Sequence, residues 1–127
     1  MSNEKLEKFI KEFIPKSDKL ARYRNNHIEK IADTINRIFK NYFGANEKFD
    51  NEFIIDAFYN LGFKIKEINN PLEKTFKNNR EVKHVWIDVS AYHILLLRVI
   101  LKNQYEKVAG KRKIDIELML EKLNKFK

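Results

Sequence analysis

The chain contains no cysteine. Its absence excludes disulfide bonds, thiolate zinc sites, cysteine-ligated iron–sulfur clusters and thiol nucleophiles. Any chemistry that this protein performs must therefore rely on histidine, carboxylate or hydroxyl groups.

Glycine and long apolar runs are scarce as well. Gly44, Gly62 and Gly110 are too far apart to build a glycine-rich phosphate loop, and the chain has no G-x-S-x-G elbow. The longest apolar run, 94–97, is far shorter than the roughly 20 residues that a membrane span needs. No apolar signal segment follows the first methionine, so the sequence predicts a cytoplasmic protein without a membrane partner.

The chain has 127 residues, of which 43% are hydrophobic, and this favours one globular domain over 1–127 with one core. Its net charge is +8. Residues 1–63 hold 11 Lys/Arg against 10 Asp/Glu, whereas residues 64–127 hold 15 against 8. A positive field in the second half favours encounters with polyanions or acidic protein surfaces, although lysines also simply keep a surface soluble.

Helical spacing of apolar residues predicts five helices. The first covers 3–14 and is terminated by Pro15. Ser17 is the predicted N-cap of a second helix, which runs to about Tyr42. The third covers about 50–61, and a strongly apolar central helix runs from Ser90 to about Ala109. The last helix places Ile116, Met119, Leu120, Leu123 and Phe126 on its buried side.

Period-two alternation predicts two strands, at 63–68 and about 83–89, joined by a long loop over 69–81. Val85, Ile87 and Val89 should face the core. The predicted fold class is therefore mainly α (α+β), with about five helices and one β-hairpin inserted between helices 3 and 4.

Two features of the predicted core bear on assembly. Ile28, Ile31, Ile35, Ile38 and Tyr42 form a narrow seam that fits either a neighbouring helix or a second copy in a homodimer. Arg98 is the one charge inside the apolar part of the central helix. It needs a carboxylate partner, either Asp88 or an acid on another helix, unless it lies exposed at a dimer interface.

The face of the hairpin opposite the aliphatic set is the first candidate binding surface. It carries His84, Trp86 and Asp88 on one strand and Lys64 and Lys66 on the other. An exposed Trp among lysines is suited to stacking a base or anchoring a protein partner. The alternative is that a terminal helix covers this face and makes Trp86 part of the core.

Two further groups of cations complete the predicted binding surface. The hairpin loop carries Lys74, Lys77 and Arg80, and a basic turn is formed by Lys111, Arg112 and Lys113. A helix followed by a hairpin with a basic loop resembles the winged part of a winged-helix domain, in which the helix enters the major groove. The solvent face of 50–61 offers Asp50, Glu52, Asp56 and Asn60 but no Arg or Lys, so phosphate would repel this face.

An arginine precedes a histidine by five positions at Arg22 and His27. This spacing resembles the motif of the HEPN ribonucleases. The resemblance implies that the histidine acts on a 2′-hydroxyl and that the arginine steadies the phosphate. The competing interpretation is a solvated helix face.

His27, His84, Asp88 and His93 are the candidate metal ligands. No H-x-x-x-H or H-E-x-x-H pair places two of them on one helical turn, so neither a metal nor another cofactor is expected.

The sequence thus favours a small, basic, non-enzymatic accessory or regulatory protein that docks on nucleic acid or on a nucleic-acid-handling complex, as a homodimer and without a small-molecule substrate. The alternatives are a protein-binding inhibitor or scaffold without nucleic-acid contact, and a HEPN-like ribonuclease that uses Arg22 and His27. The residues predicted to bind are Lys64, Lys66, Lys74, Lys77, Arg80, His84, Trp86, Lys111, Arg112 and Lys113.

Overall fold

The computed structural model describes residues 3–74 and 81–126. It contains five α-helices and one antiparallel hairpin between the third and fourth helices, which confirms the predicted fold class. The elements are α1 (Asn3–Phe13), α2 (Ile28–Phe43), α3 (Asn51–Asn60), β1 (Ile65–Lys74), β2 (Glu81–Ile87), α4 (Ala91–Leu101) and α5 (Lys111–Phe126).

The helix α1 forms as predicted and buries one face in an aromatic cluster. Phe9 stacks on Phe13 with ring centroids 4.7 Å apart, and Phe126 of α5 meets both rings edge-on. Phe39 and Phe43 of α2 close the cluster. Because these rings come from three helices, the cluster ties both ends of the chain to α2.

The second helix begins ten residues later than predicted. The chain over 17–23 is not helical, a 3₁₀ turn covers Arg24–Asn26, and His27 rather than Ser17 is the N-cap of α2. One cause is non-local, because the backbone at Ser17 is bonded to the end of the hairpin: Ser17 N donates to Asp88 O at 2.7 Å. The predicted seam holds, and Ile28, Ile31, Ile35 and Ile38 are all buried within the single chain.

The hairpin is longer than predicted. The first strand continues past Ile68 to Lys74, so the loop expected over 69–81 is wrong across its first half. Residues of β1 pair with residues of β2 from Ile65↔Ile87 to Asn70↔Val82, and the register then shifts before Lys74. Pro71 lies in the shifted stretch, where its missing N–H removes a ladder donor.

The helix α4 is the central element, as its composition indicates. Ser90 is its N-cap, and Ile94, Leu96, Leu97 and Ile100 are buried against α2 and α5. It ends at Leu101 and not near Ala109, because the chain turns through Asn103, whose φ is 57°. Asparagine tolerates this left-handed conformation better than most side chains, and a second 3₁₀ turn follows at Tyr105–Lys107.

Arg98 of α4 pairs with a carboxylate of another helix, one of its predicted partners. Its guanidinium Nη1 lies 3.2 Å from Asp33 Oδ2 and 3.1 Å from Thr34 Oγ1, both on α2. Asp88, the other predicted partner, is 4% exposed and accepts a bond from Lys64 N instead.

Among the residues that the structure describes, none of the helices combines the length and apolar character required to cross a membrane.

Candidate nucleic-acid interface

The strand β2 is flanked on both edges. On one edge it pairs with β1, and on the other the chain that precedes α2 forms the single antiparallel bridge His27↔Trp86, with a second bridge, Lys16↔Val89, just beyond the end of β2. A row of three side chains therefore crosses the outer face of the hairpin, in the order His27, Trp86, Lys66.

Asn26 holds this edge in place. It is 1% exposed, and its side-chain amide donates to the carbonyls of Ile87, at 3.0 Å, and Val89, at 2.8 Å. These two bonds satisfy carbonyls at the end of the hairpin and tie them to the segment that leads into α2. Sequence alone does not single out Asn26, because nothing local distinguishes a buried structural Asn from the solvated polar residues around it.

His27 and His84 form a hydrogen-bonded pair across this edge, with His27 Nε2 2.9 Å from His84 Nδ1. His27 Nδ1 accepts the backbone N–H of Glu29 at 3.2 Å, as the N-cap of α2. Since that nitrogen accepts, the proton of neutral His27 lies on Nε2, and His27 donates to His84. Burial lowers the pKa of His27; the nearby Glu29 opposes this shift and His84 adds to it.

Trp86 is half-buried, and His27 is one of the residues that cover it. The ring of His27 lies 4.7 Å from the indole ring, centroid to centroid, with the two planes at 88°. Among the described residues, Trp86 Nε1 and Asn26 Oδ1 are the buried side-chain atoms without a hydrogen-bond partner. The open stacking platform expected at Trp86 is therefore partly occupied by His27.

Exposed cations occur on both of the chain segments that pair with β2. Lys64 and Lys66 project from the chain at β1, as the alternation predicts. Arg22 and Arg24 are exposed on the segment that leads to His27, and Tyr23 between them is 66% exposed. We call Arg22, Tyr23, Arg24, Lys64, Lys66 and Trp86 the hairpin patch.

The other cations predicted to bind either belong to a different element or lie outside the residues that the structure describes. Lys77 and Arg80 lie outside the described residues, as does the side chain of Lys74. Lys111–Lys113 are exposed, but they form the first turn of α5 and not a turn between helices. That helix packs on α4, so this basic group belongs to a different element from the hairpin.

The geometry favours neither the resemblance to the HEPN ribonuclease motif nor the resemblance to a winged-helix domain. Arg22 is in irregular chain and His27 is a helix cap, so they do not share a helical face, and both ring nitrogens of His27 already bond within the protein. Asp50, the N-cap residue of α3, and Glu52 and Asp56 within it are exposed. The helix that a winged-helix domain would insert into the major groove is therefore acidic in this chain.

The candidate metal ligands do not converge into one site. His93 lies at the start of α4 with its Nδ1 2.7 Å from Ser90 Oγ, and the Asp88 carboxylate accepts from Lys64 N. The described residues contain no group of three or more histidines and carboxylates with the geometry to hold a metal ion. A metal on His27 Nε2 would also require either an imidazolate or loss of the helix cap, because Nδ1 accepts from Glu29 N–H.

An open cleft between α2 and α3 carries no charge preference. Its ionisable lining residues comprise three acids and three bases, namely Glu29, Asp33, Asp50, Arg37, Lys40 and Lys48. The asymmetry of charge therefore lies at the hairpin patch and the start of α5.

Comparison with protein-family models, curated proteins and solved structures found no match to this chain.

Proposed function

We propose that this chain is a small, basic, non-enzymatic accessory protein of the cytoplasm that docks on nucleic acid or on a protein complex that handles it. The observation that carries the proposal is the hairpin patch. The patch combines four exposed cations with a half-buried Trp that pairs with Lys66, and an exposed Tyr lies between two of the cations in the sequence.

The composition of the patch suits a polyanion with exposed rings. Lys and Arg side chains on the outer surface replace counterions along a phosphate backbone, and their release supplies sequence-independent affinity. Tyr23, 66% exposed, has an open ring on which a base can stack. Trp86 is suited to report the contact, since it is the only Trp in the chain and lies in the same row as Lys66.

Because the exposed face of α3 is acidic, the hairpin patch is a better candidate than α3 for the surface that docks on a polyanion. A phosphate chain on α3 would meet Asp50, Glu52 and Asp56, all exposed. Like-charge contacts of this kind oppose binding and orient the protein with the hairpin toward the polyanion.

The test is a titration with labelled single- and double-stranded DNA and RNA at about 50 and 200 mM salt. The hairpin variant Lys64→Ala with Lys66→Ala should weaken binding and lower the slope of log K against log salt by about 2, since each lost phosphate contact contributes about 0.9 for duplex DNA. Lys40→Ala with Lys48→Ala removes the same charge from the α2–α3 cleft and should change both quantities less. Lys111→Ala with Lys113→Ala tests the second basic group separately.

A protein partner without nucleic-acid contact is the second candidate, favoured by exposed apolar and aromatic side chains elsewhere. Tyr59 of α3 is 70% exposed, and Ile114 and Leu118 of α5 are exposed by 58% and 55%. If Trp86 fluorescence and the labelled oligonucleotides show no response at either salt concentration, nucleic-acid docking is wrong and this candidate takes its place. A pull-down from the native host with and without nuclease treatment then identifies the partner class.

A further inference from the structure

The outer face of α5 carries a stripe with heptad spacing. Its members are separated by three, four, three and four residues, and all are exposed: Lys111, Ile114, Leu118, Glu121 and Lys125. They lie on the side of α5 away from Ile116, Met119 and Leu123, although Lys111 and Leu118 also line an open cleft with residues of α1 and α4. Surface helices ordinarily place charge on this side, so two large aliphatic residues at its centre need an explanation.

We propose that this stripe is a self-association surface on which α5 packs antiparallel against α5 of a second copy of the chain. The seam of α2 that fitted a dimer at the sequence level is buried within one chain, so it offers no such surface. The stripe of α5 has the same spacing and is exposed.

The stripe is complementary to itself in one orientation. When two copies run antiparallel about a two-fold axis at the level of Ile116, Ile114 of each copy faces Leu118 of the other. The same operation places Lys111 of each copy opposite Glu121 of the other. The result is four layers, of which the two central layers are aliphatic and the two outer layers are pairs of opposite charge.

A parallel arrangement of the same two helices would place like charges together. Lys111 would meet its own copy at one end and Glu121 its own copy at the other, and like charges opposite each other disfavour pairing. The order of charges along the stripe therefore selects the antiparallel dimer. The bond between Glu121 and Lys125, at 3.2 Å, leaves both side chains exposed, by 62% and 76%, so Glu121 remains accessible to the second copy.

The dimer should be weak. Four layers of one helix pair bury less than a standard protein interface, and Glu117 lies beside the stripe where it approaches its own copy near the axis. We expect a dissociation constant on the order of 0.1 mM in the absence of nucleic acid. Self-association does not depend on the proposed docking function and is measured without any oligonucleotide.

Sedimentation equilibrium over a range of protein concentrations tests the proposal. Lys111→Glu and Glu121→Lys should each weaken association by about tenfold, because each change replaces two attractive contacts with two repulsive ones. The double variant Lys111→Glu with Glu121→Lys restores opposite charges in both outer layers and should recover most of the affinity. All three variants alter exposed side chains only, and circular dichroism confirms that they fold.

Two outcomes would overturn the proposal. One is a wild-type protein that stays monomeric up to a concentration of about 1 mM, tenfold above the expected dissociation constant. The other is a dimer for which the double variant associates no better than the single variants, since the contact surface would then lie elsewhere. The orientation has its own readout, because the chain has no native cysteine: a mixture of Lys111→Cys and Glu121→Cys should form mainly mixed disulfides, and a predominance of Lys111→Cys homodimers would contradict the antiparallel arrangement.

Discussion

His27 donates a hydrogen bond from Nε2 to Nδ1 of His84 at 2.9 Å, across 57 residues of chain. The same ring caps α2 through Nδ1, so one histidine joins the start of a helix to the outer face of the hairpin. A proton added to the pair must break one of these two bonds. On Nδ1 of His27 it removes the acceptor that caps α2. On Nδ1 of His84 it removes the acceptor of the bond between the rings, unless His27 exchanges tautomers and loses the cap instead.

The two roles of His27 can be separated by substitution. His27→Ala loses both the cap and the bond to His84, and we expect it to lower the free energy of unfolding by about 1–2 kcal/mol. His27→Asn retains a capping oxygen and should lower it by about half as much. Urea denaturation followed by circular dichroism measures both, and equal losses would show that the cap contributes nothing.

Stability should decrease on mild acidification. Burial lowers the pKa of His27 from its ordinary value of 6.5, and burial likewise lowers the pKa of His93, an effect that Asp115 opposes and Lys122 reinforces. The unfolded chain therefore binds protons at a higher pH than the folded chain does. The stabilisation from these two neutral rings is complete above pH 6.5 and is lost as the pH falls through their lower folded pKa values.

Unfolding free energies measured at intervals between about pH 8 and pH 5 check this expectation. His27→Asn should flatten the dependence in that range, while His27→Ala serves as a non-titrating variant without the cap. A wild-type stability that rises as the pH falls below 6.5 would contradict the assigned protonation states.

The ion pair between Arg98 and Asp33 should contribute measurably because one partner is largely buried. The side chain of Arg98 is 16% exposed and that of Asp33 is 49% exposed. Arg98→Ala should cost about 1–3 kcal/mol, through lost packing and the lost bonds to Asp33 and Thr34. The matched control is Arg37→Ala, which removes a 45% exposed arginine 3.6 Å from the same Asp33 and should change stability by less than about 0.5 kcal/mol.

A double-mutant cycle of Arg98→Ala and Asp33→Ala isolates the pairwise term. The expected coupling is favourable and larger than that of Arg37 with Asp33. A coupling indistinguishable from zero would assign the whole effect of Arg98 to packing and to Thr34.

Asn26 should be among the most sensitive polar positions. Asn26→Ala removes two hydrogen bonds and leaves the carbonyls of Ile87 and Val89 without that donor, so we expect a loss of about 2–3 kcal/mol. Asn26→Asp is nearly isosteric but places a carboxylate against the same carbonyls, and it should cost more. The neighbouring Asn25 is half-buried and gives the control, since Asn25→Ala should have a smaller effect on thermal unfolding.

A result in which Asn25→Ala and Asn26→Ala destabilise equally would show that the contact between the two chain segments does not depend on the Asn26 amide.

Local pattern determined much of this protein. Apolar spacing placed the five helices, alternation placed the hairpin and its inward-facing Val85, Ile87 and Val89, and Ser90 marked the start of α4. These features depend on periodicity and on capping groups that lie within a few residues of each other, which a sequence shows directly. The exposure of Lys64 and Lys66 followed from the same alternation.

Tertiary structure decided the rest, because the groups concerned lie far apart along the chain. The non-helical course of 17–23 and the choice of Asp33 over Asp88 as the partner of Arg98 depend on groups more than 60 residues away. The extension of β1 to Lys74 depends on pairing with β2, whose residues lie between 7 and 14 positions further along the chain. The candidate site changed for the same reason. The sequence placed Trp86 among cations on an outer face, but only the folded chain brings Asn26 and His27 to the second edge of β2, where the ring of His27 packs against that of Trp86. Side-chain alternation fixes which way a residue points, whereas the element that comes to lie over it is set by long-range packing and by buried polar groups that must find partners.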